Sequence, residues 1–300
     1  MIISLFTALA QVCPAAAFTC LHAVLPSRRS HLPFPLPELL LTTTGARSGR
    51  PHTTPLGYVR DERGRPLVTG SAGGAPHHPA WYHNLLAHPM TEVELGTETF
   101  PAVAVPAEGA DRDRLFDLVV RAAPGFADDE EKAGRKLPVV ALERVEAEGA
   151  PAEATNLADK LLQGHAWLRH QLGRVRAEAD AYFAGDTGAG LGLQIRQHCL
   201  AFCEGLHFHH TGEEMAVFPA LEKSHPGLTA ALARLRAEHV TVERIRGELE
   251  ALLGDMAGAD RARFRAEVER MTSELDAHLA YEEEQLLPAL AAIPWPPVAP

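Results

Sequence analysis

The chain has 300 residues, 46% of them hydrophobic, which is ample for two buried cores. Its 28 Lys and Arg stand against 39 Asp and Glu, a formal net charge of −11. Residues 151–300 hold 14 Lys and Arg against 22 Asp and Glu, and neither half carries a basic patch, which argues against nucleic-acid binding. The four cysteines, Cys13, Cys20, Cys199 and Cys203, show no zinc-type C-x-x-C spacing and read as core-filling thiols in a reducing cytoplasm.

In chain order, the first 25 residues are largely apolar, but no positive region precedes them as a signal peptide would need. Gln11, Pro14 and His22 interrupt the stretch as a membrane span. Membrane association is therefore the lesser expectation, and residues 1–35 stay unassigned. ELLLTTT (38–44) reads as a strand, PLGYVRD (55–61) as a second and PLVTGS (66–71) as a third. A Gly/Pro loop over 71–79 runs into a short helix, with Pro79 suited to a first-turn position. TEVELG and TFPAVAVPA form a hairpin or meander, 109–123 a helix, and LPVVALERV a closing strand. Strands before and after one or two helices predict an antiparallel barrel-like α+β domain. No G-x-G-x-x-G follows a strand and no phosphate-binding G-x-x-x-x-G-K-[ST] occurs, so ordinary dinucleotide and nucleotide sites are excluded.

Two loops carry chemistry. Gly45, Ser48 and Gly49, flanked by Arg47 and Arg50, offer backbone N–H groups, a hydroxyl and two guanidinium forks to a phosphate or carboxylate. Ser71, Gly73 and Gly74, ahead of Trp81, Tyr82 and His83, offer close backbone approach beside an aromatic face, which suits a ring cofactor. LLLTTTGARSGRPHTTPLGYVRD, GGAPHHPAWYHNL and PGFADDEEKAGRKLPVVALER together resemble the deazaflavin-dependent nitroreductase family, over about 36–146. The resemblance implies a split β-barrel of the FMN-binding type that binds coenzyme F420. Arg47, Ser48, Gly49, Arg50, Thr54 and Pro55 would face the cofactor, the basic loop taking its acidic tail. Ser71, Gly73, Gly74, His78, Pro79, Ala80 and Trp81 would lie near the deazaflavin. Hydride delivery to a quinone or nitroaromatic is implied, with a homodimer through the barrel. Asp129 stands where many relatives carry an aromatic residue after PGFAD.

EAEGAPAEATN (146–156) lacks apolar periodicity and reads as a linker, with residues 147–155 between the domains. Beyond it, four apolar stripes recur at alternating steps of three and four, the mark of helices burying one face. They are Leu157, Leu161, His165, Leu168, Leu172, Val175; Ile195, Cys199, Phe202, Leu206, His209, Glu213, Ala216; Leu228, Leu232, Leu235, His239, Val242, Leu249; and Phe264, Val268, Met271, Leu275, His278, Glu282, Gln285, Ala289. Each carries one histidine in its seam, and two carry a glutamate four residues later. In an up-down-up-down bundle with a rise of about 1.5 Å per residue, all four histidines fall at one height, roughly 18 Å from one end. Buried carboxylates gathered in that layer need pairing or a metal.

At these residues, over about 155–292, the sequence resembles the hemerythrin-like HHE cation-binding family, with the bundle over 156–292. The resemblance implies two iron ions held by His165, His209, His239 and His278, with Glu213 and Glu282 bridging. Nitrogen and carboxylate donors suit iron, with manganese and zinc left open. His210 and Glu214, one residue on, offer a rival register. His209 and Glu213 are preferred because they keep the apolar seam and match the spacing of His278, Glu282 and Pro288. The oxygen carriers place a second histidine where this chain has Glu243, which points away from oxygen carriage and toward chemistry or sensing of O2, NO or peroxide. The reading is thus a cytoplasmic two-domain redox protein; a non-catalytic gas or iron sensor, with the barrel as dimerisation platform, is the alternative.

Overall fold

The structure, a computed structural model, describes residues 36–145, 153–185, 191–253 and 261–296. Residues 1–35 with Cys13 and Cys20, most of the expected linker and the last four residues lie outside the described residues. The described chain divides into two compact units, one holding the strands and the other the long helices; the start of the second long helix, through His198, belongs to the first.

In the first unit, β1 (Glu38–Thr44), β2 (Pro51–Arg60), β3 (Pro66–Thr69), β4 (Met90–Leu95), β5 (Glu98–Pro106) and β6 (Val139–Arg144) close into an antiparallel barrel. Its order is β1-β2-β3-β6-β5-β4. Alternation sets the inner face: Leu39, Leu41 and Thr43 of β1 are buried, whereas Leu40 between them is exposed. The short helix α1 (Ala80–Ala87) inserts Trp81 and Leu85 into the core formed with Leu41, Val93, Phe100 and Leu142. Helices α2 (Gly109–Ala122) and α3 (Gly125–Ala133) lay Leu115, Phe116, Val119 and Ala133 against Leu67, Val139 and Ala141 in a second core.

Two boundaries differ from expectation. Strand β2 begins at Pro51, four residues early, because Pro51–Pro55 pairs residue for residue with Thr44–Leu40. Proline is tolerated there as a strand's first residue, where no ladder N–H is needed. Helix α3 was not expected from its acidic run; Gly134, with φ 63°, closes it as a left-handed cap.

The second unit holds four long helices. They are α4 (Leu157–Phe183), α5 (Leu191–Gly212, continued by a π turn Glu213–Val217 into Phe218–Ser224), α6 (Thr229–Leu253) and α7 (Arg261–Leu290). A capping box starts α4. The Asn156 side chain accepts from the Asp159 amide at 2.9 Å, and Asp159 accepts from the amides of Asn156 and Thr155. The described seam residues are buried as their spacing predicts, with two adjustments. Leu228 is only partly covered. Gln285 is half-buried, and Leu286, one full step of four beyond Glu282, takes its place in the core. Cys199 and Cys203 are free buried thiols. Among the described residues no helix is long and apolar enough to cross a membrane.

Candidate metal centre and cofactor loops

The bundle helices carry His165, His209, Glu213, His239, His278 and Glu282 inward, none more than 5% exposed. The structure brings all six together. His165, His209, Glu213 and Glu282 form one group whose ligand-capable atoms lie within 4.8 Å of one another. His239 and His278 form a second such group, and its third member is His210. The two carboxylates reach toward both groups. Glu213 places Oε1 3.0 Å from His209 Nε2 and Oε2 3.2 Å from His239 Nε2. Glu282 Oε2 is 3.3 Å from His165 Nε2 and 3.8 Å from His278 Nε2.

Both oxygens of Glu213 and of Glu282, and Nε2 of His239 and His278, are buried without a hydrogen-bond partner. Buried polar atoms are almost always paired, and an unpaired one costs about 1–3 kcal/mol. Such atoms concentrated in one layer, with nitrogen and carboxylate donors converging, fit a pair of metal ions. The electrostatics agree. Burial opposes charge on His209, but Glu213 and Glu282 outweigh it and push the imidazole up to about 10. At His210 burial outweighs the nearby Glu243 and brings the imidazole down to about 4. The group around Glu213 and Glu282 is thus a site for positive charge.

Outside this layer, acids hold the other ring nitrogens. His165 Nδ1 meets Glu283 at 2.7 Å, His239 Nδ1 meets Glu214 at 2.9 Å and His278 Nδ1 meets Glu238 at 3.0 Å. These contacts leave each Nε2 facing inward. The sequence offered Glu214 only as the partner of His210 in the rival register, and no signal for Glu238 and Glu283 beyond charge on helix faces. Among the described residues, His209 has no such acid. Instead, beside His209 and Glu213 lies an apolar cavity walled by Leu161, Gly164, Val217, Leu290 and Trp295. A Cβ at Gly164 would stand 3.8 Å from His209 Nδ1.

In the barrel, the loop between β1 and β2 is closed by the Gly45 amide on the Arg50 carbonyl and the Gly49 amide on the Gly45 carbonyl, both at 2.8 Å. Gly49 sits at φ 62°, a conformation costly for other residues. Asn84 of α1 ties the loop down, accepting from the Ala46 amide at 3.0 Å and donating to Thr43 Oγ1 at 3.1 Å. Arg47, Ser48, Gly49 and Arg50 are exposed, and neither arginine forms an ion pair with another described residue. Farther along β2, Thr54 is half-buried and Pro55 exposed.

The second loop leads directly into α1. The Gly73 amide donates to Ser71 Oγ at 3.2 Å, and the Gly74 amide to the Ser71 carbonyl at 3.1 Å. Lys132 Nζ donates to the Gly73 carbonyl at 2.9 Å, and Arg135 donates to the carbonyls of Gly70 and His77. The sequence reading missed Lys132 and Arg135 as the struts of this loop. His78 Nδ1 is buried and unpaired, with Pro79 half-buried and Ala80 exposed beside it. Trp81 is only 6% exposed and spends its face on the core, so Tyr82, 5.0 Å from His78 between ring centres, is the aromatic neighbour at this loop. Two free guanidinium groups, loop amides and an unpaired imidazole fit an acidic ring cofactor.

A family model described as F420H(2)-dependent quinone reductase matches residues 29–144. An F420H(2)-dependent quinone reductase of Mycobacterium tuberculosis is 40% identical over 111 residues, 36% of this chain and 74% of that protein. The chain belongs to the F420H(2)-dependent quinone reductase family. Its second part, residues 156–290, matches the hemerythrin HHE cation-binding domain model, so the quinone reductase-family barrel is joined to a hemerythrin-type bundle. A solved F420-H2-dependent reductase is 38% identical, covering 36% of this chain and 94% of its own, with a TM-score of 0.34. A second solved chain, described as a domain-swapped dimer, is also 38% identical, covering 36% of this chain and 80% of its own, with a TM-score of 0.34.

Proposed function

We propose that this protein is an F420H2-dependent oxidoreductase of the quinone or nitroaromatic reductase type, joined to a paired-iron bundle that acts on or senses O2, NO or peroxide. The observation that carries the barrel reading is the pair of loops held against α1. Among the described residues, one presents Arg47 and Arg50 without ion-pair partners, and the other presents His78 with an unpaired nitrogen. Coenzyme F420, when reduced and bound, supplies the hydride. The chain's own part is to grip the cofactor's anionic tail with Arg47, Ser48 and Arg50 and to seat its ring between the second loop, His78 and Tyr82. A homodimer through the barrel belongs to this reading.

Anaerobic titration of the full chain with reduced F420, read by deazaflavin fluorescence, tests it. Tight quenching and turnover of a soluble quinone are expected. Arg47→Ala together with Arg50→Ala should weaken binding by about a hundredfold, two charge-assisted contacts at about 1.5 kcal/mol each. Undiminished binding by that double variant would reject the tail assignment.

For the bundle, the carrying observation is the buried layer of ligand atoms opening on an apolar cavity at His209 and Glu213. A small neutral diatomic fits such a cavity better than a charged substrate does. Gly164→Val would put methyl groups against the His209 ring. It should leave the iron content unchanged while slowing nitric oxide binding at least tenfold in stopped-flow absorbance. Equal rates in the two proteins would exclude the cavity as the entry path.

A further inference from the structure

We propose that His210 is a metal ligand, the third imidazole of a pocket formed with His239 and His278. This rests on the paired-metal reading above and adds to it a residue.

Consecutive helical residues point about 100° apart. His209 and His210 therefore turn to different neighbours: His209 faces His165, Glu213 and Glu282, while His210 faces His239 and His278. The His210 ring is 4% exposed, lies 4.0 Å from that of His239 and meets that of His278 edge-on at 5.5 Å. Neither of its ring nitrogens has a hydrogen-bond partner. A position needing only bulk would take leucine or phenylalanine, without the roughly 1–3 kcal/mol that each buried orphan costs.

The surroundings of His210 repeat those of His165, His239 and His278. Behind His165 stands Glu283, held by Arg169 at 2.8 Å; behind His239 stands Glu214, held by Arg236 at 3.1 Å; behind His278 stands Glu238, held by Arg234 at 2.7 Å. Behind His210 stands Glu243, 3.4 Å from Nδ1, held in turn by Arg246 at 2.8 Å. This is the loosest of the four, an ion-pair distance without hydrogen-bond alignment. The order of groups is nevertheless the same, imidazole, carboxylate, guanidinium. An acid on Nδ1 fixes the tautomer that offers Nε2 to a metal.

The π turn explains how one helix manages both imidazoles. A π turn inserts one extra residue into the helical repeat. It begins at Glu213, three residues past His210, and it returns Val217, Phe218 and Leu221 to the core. One pocket groups two imidazoles with two carboxylates and adjoins the apolar cavity; the other groups three imidazoles, and Glu213 and Glu282 reach toward it as well.

The test is iron content and electron paramagnetic resonance of the full chain loaded anaerobically with ferrous iron, then oxidised. Wild type should hold two ions as a coupled pair; fewer than two would overturn the paired-metal reading itself. His210→Phe keeps the volume and should drop the content to about one ion, with an isolated ferric signal in place of the coupled pair. Two ions with an unchanged signal in that variant would overturn the role of His210 alone. Should His210→Phe lose its helical circular dichroism, Glu243→Gln decides, with His210 intact. It should weaken the second ion about tenfold and leave the first unchanged; unaltered affinity for both would overturn the proposal.

Discussion

Glu282→Gln is expected to strip the bundle of its paired metal while leaving the metal-free protein at least as stable as before. The carboxylate is fully buried, and its nearest opposite partners are imidazole nitrogens at 3.3 to 3.8 Å, none aligned for a hydrogen bond. Burial and the neighbouring Glu213 both oppose its ionisation, yet His165 and His209 outweigh them and keep it charged. Removing that charge leaves no unpaired cation behind, because the facing imidazoles can release their protons, so the loss to the metal-free fold is small. Glutamine keeps the shape, removes the repulsion with Glu213 and should change metal-free stability by no more than about 1 kcal/mol, or raise it. Metal affinity should fall by more than the 10–100-fold typical of losing an outer partner. Urea unfolding with and without chelator, beside metal analysis, separates the two effects. A loss of about 3 kcal/mol in the metal-free variant would mean that Glu282 is a structural group instead.

Gly205→Ala should destabilise the bundle by about 2 kcal/mol, although alanine is the better helix former. A Cβ at Gly205 of α5 would fall 2.1 Å from Cζ3 and 2.4 Å from Cη2 of Trp167, whose indole lies across the helix backbone. Overpacking of that kind costs about 1–3 kcal/mol, more than the roughly 1 kcal/mol gained by replacing a helical glycine. The displaced contact lies one turn from His209 and two residues from His165, so iron loading should fall as well. In a Trp167→Leu background the obstacle is gone and Gly205→Ala should become neutral or stabilising. A double-mutant cycle by thermal unfolding measures that reversal. Equal costs in both backgrounds would show that the indole is not the reason for the glycine.

Much of the metal layer was legible in the one-dimensional pattern. His165, His209, His239 and His278 fall on seam positions that apolar residues otherwise occupy, and helical periodicity alone turns them inward with Glu213 and Glu282. His210 was legible only as a rival to His209, not as a participant beside it. It lies off the seam by one residue, and only the neighbouring helices show that a second ring fits beside His239. Among the outer acids, Glu214 stood out only as the carboxylate of the rival register and Glu243 only as the position of the oxygen carriers' second histidine; Glu238 and Glu283 read as ordinary charged faces, since nothing in their spacing distinguishes a solvated glutamate from one behind an imidazole.

The barrel divides along similar lines. Alternation in ELLLTTT and the apolar runs of the later strands marked where strands lie, but not that β1 closes on β4 or that β3 lies between β2 and β6. Nor could it show that Pro51 starts a strand, which depends on pairing with Thr44. Trp81, placed near the ring cofactor by its neighbours in sequence, is drawn into the core by Leu41, Leu85 and Val93. Local periodicity and spacing are properties of one segment, so the chain alone determined the two domains, the bundle seams and the basic loop. Which side chains from different segments meet is fixed by packing, and so the second imidazole pocket, its backing acids and the struts of the cofactor loop were decided only in three dimensions.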